Sequence, residues 1–149
     1  MATIYHQLRV NAPILRLFKA VSTVEGIATW WDRPVDTPMN VGSVLEFNLG
    51  EMHGILQMKV LEVTSGKRIE WECISTHMTT SPASAWTGTR VAFDFTEAPP
   101  MPFETASRGQ LAVLDFRHSG WDETNKYFGY CNLGWGEALL KLRKVSESK

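Results

Sequence analysis

The stretch WDETNKYFGYCNLGWGEALLKLRKVSESK, Trp121–Lys149, decides how the rest of the chain must fold. From Asp122 onward it reads as one long amphipathic helix. Phe128, Cys131, Trp135, Leu139 and Leu142 recur at spacings of three and four, with Tyr127, Gly134 and Ala138 beside them. Gly134 is expected to let the backbone approach its partner, at a cost of about 1 kcal/mol in helix propensity, and Trp135 to anchor the contact. A helix of roughly 20 residues spans about 30 Å, so the stripe needs a large partner. The remaining sequence is mostly strand-like, so that partner is a sheet, and a curved sheet that does not fully close on the helix leaves a cavity between them.

Working outward, Gly109–His118 alternates Ala112, Leu114, Phe116 and His118 against Val113, Asp115 and Arg117, and Ser119-Gly120-Trp121 reads as the turn into the helix. Thr87–Thr96, Arg68–Ser75, Gly54–Val63 and Ser43–Leu49 read as four further strands, Arg68–Ser75 setting Ile69, Trp71 and Cys73 against Glu70 and Glu72. Glu97–Ala106 carries three prolines and reads as a surface connection, because proline cannot pair in a sheet interior. His77–Ser84 is polar and breaks the pattern.

Toward the beginning, Thr3–Val10 turns Ile4, His6, Leu8 and Val10 to one face. Asn11-Ala12-Pro13 then offers a capping Asn and a proline for a helix over about Pro13–Val21. Ser22-Thr23-Val24-Glu25 fits a capping box that opens a second short helix, ending at Trp30 or Trp31 before Asp32-Arg33-Pro34. The order is β-α-α-β-β-β-β-β-α: a single α+β domain over 1–149, with six antiparallel strands packed by one face on the last helix.

Fifteen Lys and Arg against 16 Asp and Glu leave a net charge of −1, and the basic residues are scattered, which excludes the basic stripe of a nucleic-acid binder. The opening MATIYHQLRVNAP has no leader pattern and no run is long enough to span a bilayer, so a soluble, cytoplasmic protein is expected. Cys73 and Cys131 form no CxxC and are expected as buried thiols. His6, His53, His77 and His118 stand alone, so neither a metal nor a cofactor is expected. Six Trp and seven Phe exceed what a plain core of this size requires and favour a wide, aromatic-lined interior.

Several strings, in this order, carry a family resemblance: Asn11-Ala12-Pro13, Trp30-Trp31, Gly42, Lys67-Arg68-Ile69-Glu70-Trp71, Gly88-Thr89-Arg90-Val91, His118-Ser119-Gly120-Trp121, and Gly134-Trp135 with Leu139 and Leu142. Over nearly the whole chain it resembles the activator of heat-shock-protein-90 ATPase homologue family, within the START-like (SRPBCC, birch-pollen-allergen-like) superfamily. The resemblance implies a helix-grip fold, a curved six-stranded sheet wrapped around the C-terminal helix. It also implies a stress-response setting and relatives that include lipid and hormone carriers, cyclase-like proteins and oxygenase domains. The chaperone-engaging N-terminal domain of the eukaryotic co-chaperone has no counterpart in this sequence.

If the alternations hold, Phe47, Met58, Trp71, Phe93, Phe116 and His118 point from the sheet, and Tyr127 and Cys131 from the helix, into the space between, with Trp31 at its mouth. These nine are the candidate ligand-binding residues; the competing reading is that the same rings simply fill a core. His118 faces inward, either toward a ligand or as a core histidine satisfied by backbone, while Asp115 faces the other side and cannot orient it. No GxSxG elbow is present, and a Cys131 thiol in an apolar site stays protonated, so no catalytic residue is assigned. The expected function is binding of a small hydrophobic or aromatic molecule without catalysis. The alternatives are a co-chaperone-like interaction module with a filled core, and a small cyclase- or hydrolase-like enzyme using His118 with Tyr127 or Tyr130. A homodimer and a chaperone contact stay open as partners.

Overall fold

The computed structural model describes residues 1–148. Six strands form one antiparallel sheet: β1 (Ala2–Val10), β2 (Val44–Asn48), β3 (Ile55–Thr64), β4 (Arg68–Cys73), β5 (Arg90–Ala98) and β6 (Leu111–Trp121), in the spatial order β1-β6-β5-β4-β3-β2. Helices α1 (Ile14–Ser22) and α2 (Val24–Ile27) separate β1 from β2, a 3-10 turn covers Pro82–Ala85, and α3 (Phe128–Glu147) closes the chain. Among the described residues no helix is long and apolar enough to cross a membrane.

The period-two pattern fixes which face is inside, because a slip of one residue would turn every inward side chain outward. His118 of β6 sits between Ile4 of β1 and Val91 of β5, Phe93 opposes Phe116, and Trp71 opposes Val91. These residues share one buried cluster with Leu45, Phe47, Leu56 and Met58. Onto that face α3 lays Cys131, Trp135, Leu139 and Leu142, and α1 lays Leu17, Phe18 and Val21. On the outer face Asp115 accepts hydrogen bonds from Tyr5 and Gln7, and Arg68 pairs with Asp94 at 2.6 Å.

Several boundaries differ from the sequence reading. The last helix begins at Phe128, not Asp122. Asp122 accepts from the Thr124 amide and Asn125 from the Tyr127 amide, so both side chains hold turns that lead into the helix. Strand β6 does not turn at Ser119: it runs on to Trp121, with Gly120 as the extra residue between the Thr3–Ser119 and Ala2–Trp121 pairs. Gly120 holds φ at +89°, which a side chain would strain, and the bulge bends the strand over the core. Strand β5 starts later and ends later than expected, so Glu97 and Ala98 pair with Ala112 and Leu111 and the proline connection begins at Pro99.

Asn11 does not cap α1, whose N-cap is Pro13 without a side-chain bond; its side chain grips Ser107 instead, Nδ2 donating to the Ser107 hydroxyl and Oδ1 accepting from the Ser107 amide. The cap of α2 is Thr23, which accepts from the Gly26 amide at 2.9 Å, while Ser22 belongs to α1. Helix α2 is only four residues long, and turns carry the chain on to Trp30, whose indole donates to Ala20 O at 2.8 Å. Gly134, expected against the sheet, is exposed and borders a cavity instead; a Cβ there would meet nothing within 4 Å.

Candidate functional site

Burial of His118 is complete, so its ring nitrogens need partners, and two side chains supply them. Trp135 of α3 can only donate through Nε1, and it does so to His118 Nδ1 at 3.0 Å. The imidazole proton is thereby placed on Nε2, which donates to Thr89 Oγ1 at 2.7 Å, and the Thr89 hydroxyl donates in turn to Trp86 O. The Trp86 indole returns to α3, donating to Cys131 Sγ at 3.4 Å. This circuit joins helix, last strand and the segment after the 3-10 turn.

The His118 partners are therefore side chains, and not the backbone the sequence suggested. Burial pulls its pKa from the ordinary 6.5 down to about 3. A neutral imidazole with both nitrogens committed is not poised for acid–base work. Burial also raises the Cys131 thiol, against the smaller lowering effect of the Trp86 N–H, so the thiol stays protonated, joined to the circuit through Trp86 and not to His118 itself.

Beside the circuit lies a half-open cavity of about 470 Å³, within the range of small-molecule sites. Its apolar wall is built from three indoles. Trp31 stacks on Trp86 with centroids 6.1 Å apart, Trp86 on Trp135 at 5.6 Å, and Trp31 leans on Trp135 at 5.0 Å. Leu49, Leu56, Pro82, Ala83, Cys131, Leu133, Gly134 and Ala138 complete that wall. Polar groups are few: Asp32 and Glu137 at the rim, Tyr130, and the pair His53 Nδ1 and Ser81 Oγ, which share a hydrogen bond at 2.6 Å. Ser81 is buried and also accepts from the Ala83 amide, and no carboxylate bonds to His53 among the described residues. The pair thus lacks the orienting third group of a nucleophilic triad and offers a polar contact point.

Of the nine candidates, Trp31 and Cys131 line this cavity. Phe47, Met58, Trp71, Phe93, Phe116 and His118 lie fully buried behind it. Trp31 packs against Phe47 at 4.8 Å and Trp71 at 6.3 Å, filling the space above those rings. Tyr127 turns away to a separate polar groove, where its hydroxyl donates to Thr80 O at 3.0 Å. Sequence reasoning missed Trp86, His53, Ser81, Asp32 and Glu137. The Trp86 ring was the one recoverable signal, a large aromatic directly after a polar, patternless stretch, where only tertiary contact explains it.

Three solved structures show what this chain is similar to. The Aha1 dimer from Colwellia psychrerythraea matches with a TM-score of 0.77 and 25% identity, over 99% of this chain and 98% of that one. A protein from Mesorhizobium loti matches at 0.75 and 21% identity over 99% of both chains. CalU16 from Micromonospora echinospora matches at 0.68 and 15% identity, over 99% of this chain and 76% of that one. The last two likenesses concern the fold alone. No family model matches the chain, and no curated protein does. The resemblance drawn from the sequence strings holds in three dimensions: the chain has the START-like helix-grip fold, with an Aha1 protein among its structural neighbours.

Proposed function

We propose that the protein binds a small hydrophobic or aromatic molecule in the cavity walled by Trp31, Trp86 and Trp135. The observation that carries this reading is the meeting of three indoles on one cavity of about 470 Å³ with few polar groups at its edge. Indole faces offer a flat ring large contact area and offset stacking worth about 0.5–1.5 kcal/mol beyond area burial. Trp31 and Cys131 would touch the ligand. Phe47, Met58, Trp71, Phe93, Phe116 and His118 would hold the wall from behind, and Tyr127 would fix the far side of the 3-10 turn.

Titration with the neutral probe N-phenyl-1-naphthylamine tests this. Saturable quenching of tryptophan emission is expected, together with a stabilisation of about 2.7 kcal/mol at 100 times the dissociation constant. Quenching without saturation, or no rise in unfolding temperature, would refute the reading.

A second reading is favoured by a separate observation. Helix α3 exposes Leu140, at 54%, beside Tyr130 and Leu133, at 70% and 68%, which also line the cavity, and one of the similar structures is an Aha1 dimer. We propose a homodimer through this face. Sedimentation at tens of micromolar is expected to give a dimer that Leu140→Glu, a position outside the cavity lining, dissolves; a wild-type monomer there would end the idea.

A further inference from the structure

We infer that the ligand taken by the tryptophan-walled cavity is an organic cation, an ammonium group carried on a hydrophobic or aromatic body. The inference rests on the pocket reading above and goes beyond it by fixing the sign of the ligand's charge. Two carboxylates, Asp32 and Glu137, stand among the cavity's lining residues, and no Lys or Arg does. Neither carboxylate has an ion-pair partner among the described residues. Arg33, the neighbour of Asp32, is turned to Asp36 at 3.0 Å and Glu25 at 3.9 Å. The one basic side chain at the cavity, His53, has its Nδ1 engaged by Ser81.

Asp32 comes from the chain after α2 and Glu137 from α3, so two separate elements bring negative charge to the cavity. The indoles add to it with the same sign. A ring's π face is electron-rich and attracts a cation near it, most strongly for tryptophan. An anion on the same body meets the same field with the sign reversed, and the lining offers it no Lys or Arg to pair with. Ring stacking alone would accept neutral, cationic and anionic bodies alike; the charges at the rim separate them.

The test compares three probes of one ring system at pH 8 by calorimetry: 2-naphthylmethyl-trimethylammonium, 2-naphthylmethanol and 2-naphthoate. The cation is expected to bind about tenfold more tightly than the alcohol, and the carboxylate more weakly than either. Raising salt from about 20 to about 300 mM should weaken only the cation, as screening requires. Asp32→Asn and Glu137→Gln together should bring the cation to within about threefold of the alcohol, both measured on the same doubly substituted protein. Equal affinity of cation and alcohol, or tightest binding of the carboxylate, would overturn the inference and leave the pocket standing. Binding of none of the three would overturn both.

Discussion

The Trp135 indole donates to His118 Nδ1 at 3.0 Å, and this single bond decides the tautomer of a wholly buried imidazole. Protonating Nδ1 would set two donors against each other in the core. The cost falls on the folded state alone, since the unfolded chain protonates its histidine freely near pH 6.5.

The sign follows from linkage. With the folded pKa at about 3 and the unfolded one near 6.5, the unfolded state binds the proton first as pH falls. The stability contributed by neutral His118 is fully present above about pH 6.5 and is lost progressively down to about pH 3, at about 1.4 kcal/mol per pH unit. Urea unfolding at pH 7.5 and pH 5.0 should therefore show roughly 2 kcal/mol of loss from this residue. A His118→Gln variant, less stable at pH 7.5 because its fit to Trp135 and Thr89 is poorer, should show a pH dependence smaller by that amount. Identical pH dependence in both proteins would remove His118 as the cause.

The junction of α1 and α2 gives a test of cap register. Thr23 Oγ1 accepts from the Gly26 amide at 2.9 Å and donates to Lys19 O at 3.1 Å, so it serves the end of one helix and the start of the next. Thr23→Ala is expected to cost about 1 kcal/mol and Ser22→Ala less than about 0.5 kcal/mol. A larger loss at Ser22, measured by the urea midpoint, would restore the capping box that the sequence suggested.

Two helical glycines should respond in opposite directions. A Cβ on Gly26 would press on Lys19 O and come within 2.7 Å of Ala20 Cα, both backbone atoms with nowhere to go. Gly26→Ala should thus destabilise by about 2 kcal/mol through forced separation of α1 and α2. At Gly134 a Cβ meets nothing, and Gly134→Ala should stabilise α3 by about 0.5–1 kcal/mol. Thermal unfolding of the two variants reads both signs at once; a destabilised Gly134→Ala would mean a close approach after all.

These contrasts show where the sequence was legible. The inward set Phe47, Met58, Trp71, Phe93, Phe116 and His118 could be read because strand alternation leaves only two choices of face, and the aromatic residues pick one. The α3 row through Trp135 and Leu142 was equally clear, since its period differs from that of every strand. Asp122 and Asn125 were ambiguous because the side chains that cap helices also make turns. Gly120 reads as a turn residue until its partner strand shows that the same φ makes a bulge. The cavity was legible only in outline. One wall hangs from Trp86, whose position is set by a bond to Cys131 across 45 residues of sequence and by Thr89 beneath it, and neither contact leaves a periodic trace.

Trp31 carries the last prediction, because it separates a filled interior from an open one. Its ring packs against Phe47, Trp71, Trp86 and Trp135, yet it sits beyond a four-residue helix in a segment held by turns. Beneath it Trp71 is wholly buried with an Nε1–H that has no acceptor among the described residues. Trp31→Ala should cost about 3 kcal/mol, the low end for a large aromatic because the ring is only partly buried. The space left behind would be walled by rings too well braced by the sheet to collapse onto it, and an indole-sized void of this kind accepts a free ligand. Added indole should raise the unfolding temperature of Trp31→Ala in a saturable way, with a much smaller effect on the wild type, whose own Trp31 occupies that space. If indole leaves the variant's unfolding unchanged while the wild type still binds N-phenyl-1-naphthylamine, the space closes when Trp31 is gone, and the tryptophan is a wall of the cavity without being a plug over a deeper one.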